Sequence, residues 1–314
     1  MISMRTLFVS PSYVCNEKCI FCPCALNARK YTQLTIEELC RAVDLATEQE
    51  KIEMVLISGG EPTIYKDILN LISYIKGKGL KFGILSNSLK FSNQEFLESF
   101  IEVAGSGFEL TTAFHSFMEE EHDRVTSVPG SFRKSLLGVS NLIRAGVNVT
   151  IKHIINNRTY KGLPEYTDWL YETFPDNVPW VLCNIDLTGT ALTNEEDSAV
   201  PFSVSRPYLE EALDKVIEYR KRGRNRTVRI FNTPFCCIDP YYWPFLQKYE
   251  SEEEMAALYL PYENPADNRI RFNLKGDGGA GFKPCKECLV QPQCPGTWKK
   301  TAEVLGDNSF IPFK

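Results

Sequence analysis

From residue 5 to about residue 233, brief apolar runs alternate with longer amphipathic stretches. The runs at 6–9, 54–58, 82–86, 109–114, 147–155, 180–187 and 228–232 are rich in Val, Ile and Phe, as strands buried on both faces are. Between them lie helix signals. Thr35 and Glu38 have the spacing of a capping box and predict a helix to about residue 49. The stretch 67–78 has apolar residues at helical spacing and stops at Gly79, and 131–145 stops at Gly146. The stretch 163–173 is followed by Pro175, and 207–221 ends at Gly223. Strand–helix alternation of this length implies an α/β fold, a parallel sheet with right-handed crossovers that is either open or curled into a barrel. Functional residues in such folds sit just after the strands, at their C-terminal ends.

After about residue 233 the rhythm breaks. Aromatics crowd 231–262, and Glu250, Glu252, Glu253 and Glu254 read as a solvated helix face. Residues 276–281 read as a loop. Five of the eleven cysteines fall here, which predicts a core at 1–233 and a small, metal-stapled unit at 234–314.

Composition narrows the options. At 314 residues the chain can bury a large core, and 43% hydrophobic with 24% charged residues is ordinary for a globular protein. A net charge of -5 gives no overall attraction to nucleic acid or to an anionic membrane. The one basic patch, from Arg220 to Arg226, reads first as a solvated helix C-terminus. No run approaches the roughly 20 apolar residues of a membrane span. The opening 14 residues lack a secretory signal, so the cysteines point to metal or redox chemistry in a reducing compartment, the cytoplasm.

The chemistry concentrates at the predicted strand ends. Cys15-Asn16-Glu17-Lys18-Cys19-Ile20-Phe21-Cys22 follows the first strand. Three thiolates this close wrap one iron–sulfur cube and leave one iron open, whereas a zinc site takes a fourth ligand, for which Cys24 stands ready. Ser58-Gly59-Gly60-Glu61-Pro62-Thr63 follows the second strand, with glycines that permit close backbone approach to a ligand. The triplet and the Gly-Gly-Glu segment together resemble the radical S-adenosylmethionine (SAM) superfamily.

That resemblance implies a partial (β/α)6 barrel and a SAM-bound 4Fe-4S cluster on Cys15, Cys19 and Cys22, with Phe21 beside them. It places Gly59, Gly60, Glu61 and Pro62 at the methionine ammonium. Ser86 and Asn87 match a Thr-Asn-Gly-like segment, with Ser88 departing from the family's glycine. His115, Ser116 and Lys152 match polar and cationic positions on the fourth and fifth strands. For His115 and Lys152 a purely structural role competes closely, and Asn184 and Asp186 either face the cavity or satisfy buried backbone. Reductive cleavage to a 5′-deoxyadenosyl radical, fed by a flavodoxin- or ferredoxin-type donor, is the implied activity.

Cys285-Lys286-Glu287-Cys288 and Cys294, with Cys236 or Cys237 upstream, supply four thiolates for a second 4Fe-4S cluster or a structural zinc. The resemblance favours the cluster, in a twitch or SPASM-like extension, and Cys236 as its ligand. Cys24, Cys40 and Cys183 have ordinary core or loop readings. The Phe114-His115-Ser116 and Thr188-Gly189 segments and the C-terminal cysteines further resemble maturases of ribosomally made peptides, including His-Xaa-Ser systems. A peptide substrate follows from that. The competing expectations are a dehydrogenase or cyclase acting on a small metabolite, and a non-catalytic zinc or iron–sulfur binding protein. The aromatic stretch 241–245 either lines a substrate groove or, more simply, packs the two parts together.

Overall fold

The computed structural model describes residues 5–247 and 283–314 and, between them, the strands Ala256–Tyr259 and Phe272–Asn273. The acidic run at 250–254 and the segment 276–281 lie outside the described residues.

Seven strands follow the expected runs closely. They are β1 (Thr6–Val9), β2 (Met54–Ile57), β3 (Lys81–Leu85), β4 (Glu109–Ala113), β5 (Asn148–Ile155), β6 (Trp180–Asn184) and β7 (Val228–Phe231). All seven are parallel and lie in sequential order from β7 to β1. This is the parallel α/β architecture that the strand–helix alternation predicts. β8 (Ala256–Tyr259) adds to the free side of β1 in parallel, and β9 (Phe272–Asn273) pairs antiparallel with β8.

Local chemistry explains the boundaries. The helix Ile36–Glu50 opens on the full capping box: Thr35 Oγ1 accepts the Glu38 N–H at 3.2 Å, and Glu38 accepts the Thr35 N–H at 2.7 Å. Gly79 and Gly146 end their helices at φ of 74° and 81°, where a Cβ is costly. Two further helices join those the sequence predicts. Gln94–Ala104 is capped by the Asn93 side chain on the Phe96 N–H, and the strongly charged Glu119–Thr126 buries only His122, Val125 and Thr126. The helix expected to begin at residue 207 instead runs Phe202–Lys221 with Pro207 inside it. Burial of Phe202 and Ser205 in its first turns outweighs the one hydrogen bond that proline removes.

The helices cover one face of the sheet. Along β5 the burial alternates, with Val149, Ile151, His153 and Ile155 buried on the helix side and Thr150, Lys152 and Ile154 half-buried on the other. The helix-side core continues without a break through Phe235, Ile238, Tyr242, Phe245 and Leu246. The aromatic stretch therefore packs. Tyr242 donates its hydroxyl to Asp214 at 2.8 Å, and Trp243 stacks at 4.3 Å from Phe235, while Tyr241 is exposed. The basic segment is also spent internally, though not simply as a solvated end. Arg224 pairs with Asp176, and Arg226 is fully buried, donating to the carbonyls of Leu170, Phe174 and Val178.

Candidate active site

The cysteine loop after β1 is clamped from three sides by backbone. From β2, Gly60 N–H donates to Ser12 O at 2.8 Å and Glu61 N–H to Val14 O at 2.9 Å. From the helix Glu119–Thr126, the carbonyls of Thr126 and Val125 accept the Lys18 and Ile20 N–H groups. From the segment after β6, Thr190 N–H donates to Cys22 O, its hydroxyl reaches Cys19 O and Cys22 O, and Asn194 donates to Ile20 O. Thr190 and Asn194 were missed in the sequence, because neither sits in a recognisable pattern and both lie some 170 residues from their partners.

The glycines serve this clamp. A Cβ on Gly60 would lie 2.1 Å from Val14 O, and one on Gly59 2.4 Å from Ser12 O. A Cβ on Gly189 would lie 2.4 Å from Cys22 O. The close approach is to the cysteine loop itself, so the loop and the Gly-Gly-Glu turn form one rigid unit.

Glu61 is the centre of that unit. It is only 2% exposed, yet its Oε1 accepts from Thr63 N at 3.0 Å, Thr63 Oγ1 at 2.6 Å and Ser86 Oγ at 2.8 Å. Its Oε2 accepts the Asn87 N–H at 2.8 Å. Burial pushes its carboxyl pKa up while these donors pull it down. Lys90, close enough to feel the Glu61 charge, gives its ammonium to Thr63 O at 2.9 Å instead. A second buried carboxylate, Glu17, lies inside the cysteine triplet and accepts from Cys19 Sγ at 3.6 Å. Burial, then the proximity of Glu61, raises Glu17 to about 7. Two buried carboxyl groups close enough to influence one another thus carry negative charge out of water beside the cysteine loop. Glu17 also escaped the sequence reading, since an acid between two cysteines looks like an ordinary loop residue.

Ser86 and Asn87 join through the same carboxylate, and Asn87 Nδ2 donates to Asn16 Oδ1 at 2.7 Å, tying β3 to the cysteine loop. Ser88 takes the left-handed conformation, φ 63°, that glycine would supply without strain, and its buried hydroxyl has no partner. Pro62 is buried at the first position of the short turn that Glu61 caps.

Phe21 is 5% exposed and meets the His115 ring edge-on at 5.1 Å. His115 is buried with Nδ1 unpartnered, and its N–H donates to His122 Nδ1 at 3.2 Å. Burial drives His115 well below the ordinary histidine range and lowers His122 and His153 to about 4. Ser116 is also buried, with its hydroxyl accepting the Met118 N–H at the entry to the next helix. Lys152 lies on the inner face, opposite Ala113 of β4 and Val181 of β6. The register puts Cys183 on that face too, whereas Asn184 points to the helix side and bonds Thr233.

Cys15 is exposed and Cys19 and Cys22 half-buried, and desolvation raises all three thiols, Cys15 to about 12. At the other end of the chain, Cys236, Cys285, Cys288 and Cys294 line one cavity with Phe235, Val290 and Phe310. Cys237 is buried in a small cluster with Phe202, Ala302 and Phe310, its Sγ 3.9 Å from that of Cys236. Its thiol contact lowers Cys236 to about 7. Among the described residues no three Cys, His, Asp or Glu side chains converge at single-ion spacing.

Residues 9–170, just over half of the chain, match the profile of the Radical SAM superfamily. The chain belongs to that superfamily. Among curated relatives of this radical SAM protein, the Fe-coproporphyrin III synthase of Methanosarcina barkeri is 26% identical over 78% of this chain and 59% of its own length. The chain thus spans less than two thirds of that relative. A probable GTP 3′,8-cyclase of Thermococcus kodakarensis is 24% identical over 73% of this chain and 72% of its own. Streptococcus suis SuiB bound to S-adenosylmethionine superposes with a TM-score of 0.66 at 16% identity, covering 99% of this chain and 76% of SuiB. SuiB bound to its precursor peptide SuiA gives 0.61 at 18%, covering 86% and 62%. Among the described residues no helix is long and apolar enough to cross a membrane.

Proposed function

We propose that Cys15, Cys19 and Cys22 hold a 4Fe-4S cluster, and that the Gly59–Pro62 turn with Ser86 and Asn87 holds SAM beside it. The observation that carries this reading is the Glu61 carboxylate, buried and fixed by four donors where the glycines clamp the cysteine loop. When bound and reduced, the cluster supplies the electron that splits SAM, giving the 5′-deoxyadenosyl radical that takes a hydrogen from substrate. Glu61 accepts the methionine ammonium, with its charge held in place by Ser86, Thr63 and Asn87, so no reorganisation is needed on binding. His115 and Ser116 border the remainder of SAM from β4, with Phe21 fixing the His115 ring, and Lys152 approaches from β5.

Cys236, Cys285, Cys288 and Cys294 hold a second, auxiliary 4Fe-4S cluster in a twitch or SPASM-like extension, and their common cavity supports this. A flavodoxin- or ferredoxin-type protein delivers the electron in the cytoplasm. The substrate is a ribosomally made peptide, supported by the half-open inner face of the sheet and by the fold shared with SuiB, whose structure contains a precursor peptide. The sequence relatives named for porphyrin and GTP chemistry favour the second reading, a small metabolite.

Anaerobic reconstitution followed by iron analysis and 5′-deoxyadenosine assay tests the chemistry. About eight irons per chain are expected, and about four would remove the auxiliary cluster. Deuterium transfer into 5′-deoxyadenosine from a labelled peptide encoded near the gene tests the substrate. Turnover of the single reacting residue as fast as of the whole peptide would move the assignment to a metabolite.

A further inference from the structure

The inner face of the sheet carries two cations, Lys152 and Arg229, that make no ion pair among the described residues. Pairing aligns Ala113, Lys152, Val181 and Arg229 across β4, β5, β6 and β7. Residues in register share a face, so Lys152 and Arg229 project into the same concavity, two strand spacings or roughly 10 Å apart. The alternation along β7 agrees, with Val228 and Ile230 buried under the helix-side core and Arg229 and Phe231 half-buried.

Several basic residues elsewhere on the barrel sit in ion pairs. Arg158 bridges Glu121 and Asp197, Lys215 meets Asp168, and Arg224 meets Asp176. Arg229 donates only to the carbonyl of its neighbour Val228, at 3.0 Å, and neither it nor Lys152 makes an ion pair among the described residues. One carboxylate shares the strand face, Glu109, but it sits four residues before Ala113, roughly 13 Å down β4. Cys183 and Phe231, one step further toward the strand ends, supply apolar walls. A half-buried guanidinium in an apolar concavity loses hydration without a counter-charge, and its planar fork matches an oxyanion.

Lys152 has a role toward SAM in the reading above, and Arg229 has none. We propose that Arg229 recognises substrate, taking an oxyanion of it, a carboxylate or a phosphate, inside the barrel. This rests on the proposed function only in taking the concavity as the substrate's place. For a peptide it specifies an acidic or phosphorylated residue near the reacting carbon, and for a metabolite a carboxylate or phosphate substituent.

The test is anaerobic calorimetry on the reconstituted full chain with three probes: acetyl-Ala-Glu-Ala-amide, its Gln counterpart, and inorganic phosphate. The acidic peptide or phosphate should bind wild type at least about tenfold more tightly than the neutral peptide, as charge-assisted bonds do. That preference should vanish in Arg229→Ala and survive in part in Arg229→Lys, and the anion preferred names the source. Arg229→Gln answers the same question should Arg229→Ala fail to fold. Equal binding of charged and neutral probes at millimolar concentration, or a preference that persists without Arg229, overturns the proposal. Substrate-free 5′-deoxyadenosine formation by wild type is scored separately. Its absence defeats the functional reading above and leaves the anion result standing.

Discussion

The clamp between Gly60 and the cysteine loop makes a strong demand on one methyl group. In Gly60→Ala the added Cβ would stand 2.1 Å from Val14 O and 2.6 Å from the Tyr13 carbonyl carbon, all backbone. Ordinary contact starts at 3.4 Å, so the two segments must part by about 1.3 Å, the difference between 3.4 and 2.1. Parting them lengthens the bonds at 2.8 Å and 2.9 Å that join Gly60 to Ser12 and Glu61 to Val14. Losing two such bonds costs about 2 kcal/mol, residual overlap adds about 1–3, and the stiffer unfolded chain returns about 0.4–1. The net loss is about 2–5 kcal/mol, or roughly 3–7 °C in Tm for a chain of this size. Activity should fall further, because a shift of about 1 Å between carboxylate and thiolates can cost on the order of a hundredfold. Differential scanning calorimetry and the 5′-deoxyadenosine assay read the two effects, and Gly77→Ala is the control. Gly77 ends the helix Ile68–Gly77 with nothing within 4 Å of its would-be Cβ, so alanine there should stabilise by about 0.5–1 kcal/mol. A Gly60→Ala protein with unchanged Tm but lost SAM binding would restore the idea that the glycine makes room for ligand, and refute the clamp.

Three further outcomes follow from the same contacts. Ser88→Gly should stabilise by about 1 kcal/mol in urea unfolding, by relieving a left-handed φ of 63° and removing a buried hydroxyl without partner; a destabilised variant would show that the hydroxyl is paired in solution. His122 falls from 6.5 to about 4 on folding, so the unfolded chain binds the extra proton, and stability present above pH 6.5 is lost as pH drops toward 4. The stability difference between pH 7 and pH 5 should therefore shrink by about 2 kcal/mol in His122→Gln, and an unchanged difference would mean the ring is not buried neutral. Cys236→Ser should lower bound iron by about four per chain while Cys237→Ser keeps it, since only Cys236 lines the four-cysteine cavity; the reverse result would exchange their roles.

The strands were legible because each is a short apolar run between turn residues, and burial on the helix side demands that pattern. The helix Glu119–Thr126 was not, because its task is polar: its last carbonyls hold the cysteine loop, and only three of its residues face the core. The candidate site divides in the same way. Cys15, Cys19, Cys22 and Glu61 announce themselves by spacing, since adjacent thiols or a carboxylate after two glycines is chemistry written locally. The groups that hold them do not. Thr190 and Asn194 act through backbone carbonyls some 170 residues away, and a hydroxyl that bonds a carbonyl leaves no periodic trace. Glu17 shows why local reading also misassigns: its neighbours suggest a solvated loop, and only the fold reveals that it is buried and close enough to feel the Glu61 charge. Reactive residues are recognised by their type, whereas the residues that position them are recognised only by distance, so the sequence conveys the reaction class before the geometry that makes the reaction specific. Arg229 lies on the second side of that divide, an unremarkable strand residue until register aligns it with Lys152 across β6, neither in an ion pair among the described residues. If substrate selection rests on such placements, radical SAM proteins of one fold and one cysteine pattern can differ in substrate by single inward-facing positions on β5 to β7, which fits the contrast between the porphyrin, GTP and peptide chemistries named for the relatives of this chain.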